Sequence, residues 1–381
     1  MTSIAFIRKK IGFTSFLWLQ KANRYLLLEE PAWFVFSKTI KRYKANTVAS
    51  QCADRYGLTH DESLSFVNDM RSRIGQMNLP APVTAKAPEH DDPLTTHLFT
   101  PYSLYRYRFG EILFDFSFET SDFESYLHPM ICHLETAKTE MKVPLFELFA
   151  YHDQIVFRLD GIFKGVWTYE ETHLVKGLIY MNLINVMFGK TDDFWLMTVH
   201  ASAITNGQKT ILISASPGSG KTTIAAMLHK NGYQLVSDDF VPIDRYSFRA
   251  WPFPLAMSVK QGSVNLLSSI YSELEQKPVN RLSDEKSVRY LFPQNPPVFS
   301  TTGFPVKEFI FIQYNPTVDF EWEQMDQEKA IKLLFDQSWI STSDGIAGIL
   351  LNQLSQWSFY KLTYSNNQKA LEAITHLFAH D

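Results

Sequence analysis

Three groups of residues can do chemistry by type and spacing. The first is Ser216-Pro217-Gly218-Ser219-Gly220-Lys221-Thr222-Thr223, between the apolar run Thr210–Ser214 and a helix-compatible stretch ending at Lys230. Glycines let a backbone curl into a nest of N–H groups aimed at phosphate oxygens, and a helix N-terminus adds the favourable end of its dipole. In that setting Lys221 reaches the β- and γ-phosphates of a nucleoside triphosphate and the Thr222 hydroxyl ligates Mg²⁺. The loop departs from the usual pattern at its first position, where Ala215 stands in place of glycine. The second group is Asp238-Asp239, closing the apolar strand Tyr233–Ser237. An acid there, after such a loop, is expected to hold the Mg²⁺ shell. The third is His200, on the strand-like run Leu196–Ala203. A lone histidine on an apolar strand is more often a core residue, but its place upstream of the loop assigns it to the site. Lys260 reads either as a contact to phosphate or as a surface lysine at a strand end. Arg281 and Arg289, in the proline-rich stretch 273–303, are candidates for transition-state charge.

The elements that must position these groups follow from periodicity. Around the loop, Thr210–Ser214, Tyr233–Ser237, Phe240–Asp244 and Phe248–Trp251 read as strands and Thr222–Lys230 as a helix. Further on, Glu308–Tyr314, Val318–Trp322 and Phe359–Tyr364 read as strands, and Asp326–Gln337, Ile346–Leu354 and Gln368–Phe378 as helices; 273–303 reads as irregular. Before the core, Tyr105–Phe109, Glu111–Phe118, Leu145–Tyr151, Ile155–Leu159 and Phe163–Tyr169 alternate as sheet strands, and Glu171–Phe188 is a helix ending at Gly189. At the N-terminus Phe13–Gln20 and Arg24–Leu28 form a hairpin. Helices follow over Pro31–Arg42, from an Asn46 cap to Tyr56, and from Thr59, with Glu62 completing a capping box. The division expected is a small α+β domain over 1–78, a linker over 79–100 containing Pro80, Pro82, Pro88 and Pro93, and an α/β domain over 101–381. The last comprises a β-rich part (101–190) and a phosphate-loop core with a mixed sheet (191–381).

Composition narrows the partners. The 381 residues are 45% hydrophobic and 20% charged, as in soluble globular chains, and a net charge of −4 leaves no electrostatic footprint for nucleic acid. The basic cluster Lys38, Lys41, Arg42, Lys44 reads as a solvated face. Cys52 and Cys132 form no metal spacing and no disulfide framework, which fits a reducing cytoplasm. Arg8-Lys9-Lys10 before Ile11–Leu19 mimics a signal peptide, but Gln20, Lys21 and Arg24 cut the apolar run. Gly177–Phe188, the nearest approach to a membrane span, is too short. A homo-oligomer is compatible with the sequence.

The series Val199-His200-Ala201-Ser202-Ala203, then Pro217-Gly218-Ser219-Gly220-Lys221-Thr222, then Leu235-Val236-Ser237-Asp238-Asp239 resembles the HPr kinase/phosphorylase family, whose P-loop fold is of the phosphoenolpyruvate-carboxykinase type. The resemblance implies ATP- and Mg²⁺-dependent phosphorylation of a serine or threonine hydroxyl. It implies Asp239 as general base, Asp238 as metal ligand and His200 as a group that orients the acids, though the sequence leaves open which aspartate takes which role. Residues 1–78 resemble the PqqD-like peptide-recognition domain through Leu26-Leu27-Leu28-Glu29-Glu30, Thr47-Val48-Ala49, Cys52-Ala53, Phe66-Val67 and Met70. That implies a leader peptide added as a strand to a sheet edge; a purely packing subdomain or a DNA-binding winged helix are the alternatives. The signature of true HPr kinases after the Asp-Asp pair is missing, so the acceptor expected is a leader-bearing peptide or a protein rather than HPr. A non-catalytic nucleotide-binding adaptor and a kinase of a free hydroxy amino acid are the competing readings.

Overall fold

A computed structural model describes residues 4–79, 97–216, 218–282, 286–292, 298–341 and 345–379. It is a mixed α/β chain that divides into two compact units. One comprises 1–83, 325–336 and 342–359; the other comprises 84–324, 337–341 and 360–381. Most of the expected linker, 80–96, lies outside the described residues, as does Pro217.

The first unit begins with an antiparallel sheet of β1 (Phe6–Ile11), β2 (Thr14–Leu19) and β3 (Arg24–Leu28), in that order. The expected hairpin is therefore the second half of a three-stranded meander. Gly12, at φ +57°, makes the turn that separates β1 from β2. Helices α1 (Glu30–Ile40), α2 (Ala45–Tyr56) and α3 (His60–Met77) follow. Thr59 and Glu62 form the expected capping box on α3. The cap of α2 is Lys44 rather than Asn46, and Gly57 in the left-handed region closes it. Leu17, Leu19, Phe36 and Ile74 make one small core, and Val35, Val48, Cys52 and Val67 a second. Later in the chain, α8 (Gln327–Asp336) and α9 (Ile346–Gln353) belong to this unit as well.

In the second unit, β4 (Ser103–Phe109), β5 (Ile112–Phe118), β6 (Leu145–Tyr151), β7 (Gln154–Leu159) and β8 (Ile162–Thr168) build a five-stranded sheet in chain order. Two helices pack on it: α4 (Ser121–Ile131), which the sequence reading missed, and α5 (Thr172–Phe188). Phe114, Phe116, Phe146, Ile179 and Ile184 fill the space between. The sheet's aromatic faces are thus packing surfaces.

A larger sheet positions the site. Its order is β12 (Gln234–Asp238), β10 (Ala201–Thr205), β11 (Thr210–Ser214), β18 (Phe304–Tyr314), β14 (Arg249–Ala250), β13 (Val241–Asp244), β9 (Trp195–Val199) and β20 (Ser338–Ile340). β21 (Ser358–Tyr364) and β19 (Phe320–Gln324) extend it from β18. β9, β10 and β11 are buried throughout, as expected of central strands. The expected single strand Leu196–Ala203 is in fact two. The chain breaks at His200, β9 pairing with β13 and β20 while β10 joins β11 and β12. Helices α6 (Lys221–Lys230) and α10 (Asn367–Ala379) pack together beside this sheet. The stretch expected to be irregular holds β16 (Asn280–Arg281) and β17 (Ser287–Leu291); β17 pairs with β16 on one side and with β15 (Met257–Lys260) on the other, and α7 (Gln261–Ser268) follows β15 directly.

Candidate active site

Strand direction brings the three sequence groups to one sheet edge. β10 runs antiparallel to both neighbours, with Ala201 opposite Ser214 and Ser202 opposite Asp238. The start of β10 therefore lies beside the ends of β11 and β12. His200 precedes β10, the glycine loop follows β11, and Asp238-Asp239 close β12. The Ser214 hydroxyl donates to the His200 carbonyl at 3.1 Å, and the His200 amide donates to the Gln337 carbonyl at 2.7 Å, so the break in the strand is held from both sides.

The loop is built as its residue types require. Gly218 and Gly220 sit at φ +92° and +91°, where a side chain is strained. The Ser219 amide donates to the Ser216 carbonyl at 3.1 Å, closing the turn. Gly220 caps α6 without a side-chain hydrogen bond, which leaves the first N–H groups of the helix available to an anion. A Cβ on Gly220 would overlap the hydroxyl of Tyr364, itself buried. Ala215, at the position where glycine is usual, is buried among apolar neighbours and also lines the cleft. The Thr223 hydroxyl lies 2.8 Å from that of Ser263, tying the first turn of α6 to α7.

Two aspartates, adjacent in sequence, occupy opposite environments. Asp238 is 1% exposed; it accepts from the Ser202 hydroxyl, and from the Thr222 hydroxyl at 3.1 Å. Burial pushes its carboxyl up, and the neighbouring Asp239 charge adds to this. Lys221, Ser202 and Thr222 counter the rise in part. Asp239 has φ +76°, which turns its side chain out of the strand. Its Oδ1 lies 3.1 Å from Lys221 Nζ and 3.1 Å from His200 Nδ1. Burial pushes the Asp239 carboxyl up, but the charges of Lys221, His200 and Lys176 outweigh that and hold it below the usual range. Asp239 is therefore an anion at neutral pH, recessed yet 45% exposed at its side chain.

These groups line a cleft of about 300 Å³. Of the residues the sequence singled out, His200, Ser216, Gly218, Ser219, Gly220, Lys221, Thr222, Thr223, Asp238, Asp239 and Lys260 all face it. Pro217 lies outside the described residues. Arg289 is turned away, donating to the carbonyls of Glu275 and Lys277. Arg281 is not among the described lining residues.

The sequence reading missed Lys176 and Lys286. With Lys221 and Lys260 they put four lysines on a cleft with two aspartates, among the described lining residues. In a chain of net charge −4, that is a local surplus of cations suited to a polyphosphate. Burial, with the Lys286 and Lys221 charges, pushes the Lys260 ammonium down. Lys176 carried one legible signal: it is the only Asp, Glu, Lys or Arg in the whole of α5. Lys286 carried none. Tyr290 also faces the cleft; burial and the Asp239 charge push its phenol up to about 12, so it remains a hydrogen-bond donor.

The oxygen donors of the cleft decide its fit to a divalent cation. Among the described residues no group of three or more His, Cys, Asp or Glu side chains could hold a metal. The buried Asp238 carboxylate and the Thr222 hydroxyl do make a hard-oxygen pair beside the phosphate loop. That suits Mg²⁺, which takes one or two protein oxygens and completes its shell with phosphates and water.

No protein-family model matches the chain, and no curated protein matches it. Among solved structures, the Hpr(Ser) kinase/phosphatase from Coxiella burnetii is similar over 48% of this chain and 87% of its own, at 13% sequence identity and a TM-score of 0.22. Likeness at that score bears on neither the fold nor the activity. No helix among the described residues is long and apolar enough to cross a membrane.

Proposed function

We propose that the protein is an ATP- and Mg²⁺-dependent kinase that transfers the γ-phosphoryl group to a serine or threonine hydroxyl of a peptide or protein. One observation carries this reading: the ionised carboxylate of Asp239 stands 3.1 Å from the phosphate-loop lysine, at the mouth of a cation-rich cleft. A nucleotide-binding site alone needs the loop, Lys221 and Thr222. It does not need a second, exposed carboxylate, held ionised and turned outward by a left-handed backbone.

In this reading the loop N–H groups, Lys221 and Lys260 hold the phosphates; Thr222 and Asp238 would hold Mg²⁺, which would supply neutralising charge to the phosphoryl oxygens. Asp239 accepts the proton of the acceptor hydroxyl as its oxygen bonds to the γ-phosphorus. The bond from that phosphorus to the β–γ bridging oxygen breaks, leaving ADP and the phosphate ester. His200 orients Asp239, and Lys221 can exchange the Asp239 carboxylate for a phosphate oxygen. Residues 101–381 then act as an HPr-kinase-like catalytic part and residues 1–78 as a PqqD-like module in a cytoplasmic protein. The three-stranded sheet of the first unit has β1 and β3 as its edges, where a leader strand could add.

The test is transfer of label from γ-labelled ATP to a hydroxyl peptide by the full chain. If leader capture operates, an excess of leader peptide in trans slows that transfer; no slowing contradicts the module's role.

A further inference from the structure

Asp239 and Phe240 are neighbours in sequence but face different spaces. Asp239 lines the phosphate-loop cleft, whereas Phe240 lines a second, larger groove of about 760 Å³. The same division recurs where β9 meets β10: His200 lines the cleft, and Thr198, two residues earlier, lines the groove. It recurs again on α5, where Lys176 faces the cleft while Leu174, Gly177, Leu178 and Met181 face the groove, at the spacing of one helical stripe. Three separate elements thus contribute side chains to both spaces, which therefore lie side by side. Asp239 and Phe240, whose Cα atoms are about 3.8 Å apart as sequence neighbours, mark where the cleft and the groove adjoin.

The groove is apolar. Phe163, Val166, Trp167, Met181 and Phe240 contribute to its walls, and the phosphate chemistry above uses none of them. Leu174 and Trp339 stand 49% and 47% exposed along it, an apolar surface left to solvent beside a reactive carboxylate. Lys164, Glu171, His173 and Thr198 supply the polar side.

We propose that this groove is the acceptor subsite, and that it takes a bulky apolar side chain of a peptide, one or two residues from the Ser or Thr whose hydroxyl meets Asp239. The inference rests on the kinase reading above and adds the acceptor class to it. A free hydroxy amino acid has no apolar body to reach the groove; a peptide with Phe, Leu or Trp beside its Ser does. Burial of one such side chain favours it over alanine by roughly 10- to 100-fold.

The backbone offers a clean probe. Gly177 lines the groove, lies in helical backbone, and has no atom within 4 Å of where a Cβ would stand. Gly177→Leu therefore starts from open space at its Cβ, adds bulk on the groove side and gains helix propensity. Trp339→Ala removes an exposed wall from the other side. Two fluorescent Ser peptides that differ only in Phe or Ala flanking the Ser are titrated against the full chain with a non-hydrolysable ATP analogue and Mg²⁺. The Phe peptide should bind at least tenfold more tightly to the wild type, and each variant should cut that preference below about threefold. Equal affinities for the wild type, no measurable binding of either peptide, or a preference that survives both variants overturns the assignment. Label transfer from γ-labelled ATP is read on the same peptides. Preference without transfer removes the kinase reading and keeps the groove; transfer without preference does the reverse.

Discussion

The Asp239 carboxylate and the Lys221 ammonium form an ion pair of 3.1 Å across 18 residues of sequence. The pair joins the end of one strand to the first residue of the helix that follows another. It sets the protonation of the proposed base and fixes where the phosphate-binding cation sits. It also predicts that the two side chains fail differently when replaced.

Lys221→Ala should weaken ATP binding by roughly 10- to 100-fold, the worth of a charge-assisted contact to phosphate. Asp239→Asn should leave ATP affinity within about threefold or tighten it, because Lys221 then loses a competing carboxylate. Calorimetric titration of both variants with ATP and Mg²⁺ checks this. A tenfold loss in Asp239→Asn would mean that the carboxylate builds the nucleotide site instead of serving the acceptor.

Gly220 is constrained twice, by φ +91° and by the Tyr364 hydroxyl over its Cα. Gly220→Ala should lower stability by about 1–2 kcal/mol from the backbone alone, and more from the overlap. Adding Tyr364→Phe should restore part of that loss but not the backbone part. Thermal melts of the single and double variants read the difference, and complete rescue would show that φ carries no strain.

Ser202 donates to the buried Asp238. Ser202→Ala leaves that carboxylate with one fewer partner, costing about 1–3 kcal/mol. Asp238 should be pushed further up, so more Mg²⁺ is needed for half-maximal activity. An unchanged Mg²⁺ dependence would detach Asp238 from the metal.

A pH effect arises away from the cleft. The His133 ring lies 4.3 Å from that of Phe292, and burial pushes the imidazole down to about 4. In the unfolded chain it titrates near 6.5. Between those values the unfolded state holds the proton and the folded state does not, so stability falls as pH drops from about 6.5 to about 4. The fall attributable to His133 should be roughly 3–3.5 kcal/mol at most. Chemical denaturation of His133→Phe should show a flatter pH dependence in that window, and an unchanged slope would contradict the assignment.

The phosphate loop, its strand and its helix were legible in the sequence because local signals agreed: an apolar run, two glycines, then Lys-Thr. What surrounds them was less so, for physical reasons. Strand β1 was missed because its run Arg8-Lys9-Lys10 puts charge on both faces of an edge strand and hides the apolar alternation. Helix α4 carries Pro129 and sits between aromatic strands, so its period was masked. The break at His200 is invisible locally, since the residues on both sides are apolar and only the pairing partners change. Lys176 and Lys286 reach the cleft from distant elements, and chain order holds no record of that convergence.

The most direct measurement is of phosphoryl transfer itself. The full chain, Mg²⁺ and γ-labelled ATP are incubated with Ser- and Thr-bearing peptides, and the products are weighed by mass spectrometry for wild type and Asp239→Asn side by side. The account predicts one added phosphate on a side-chain hydroxyl with the wild type, and a rate lower by about 10²- to 10⁴-fold in Asp239→Asn. Transfer at an equal rate in the two proteins, or no transfer to any hydroxyl by a wild type that binds ATP, would contradict it.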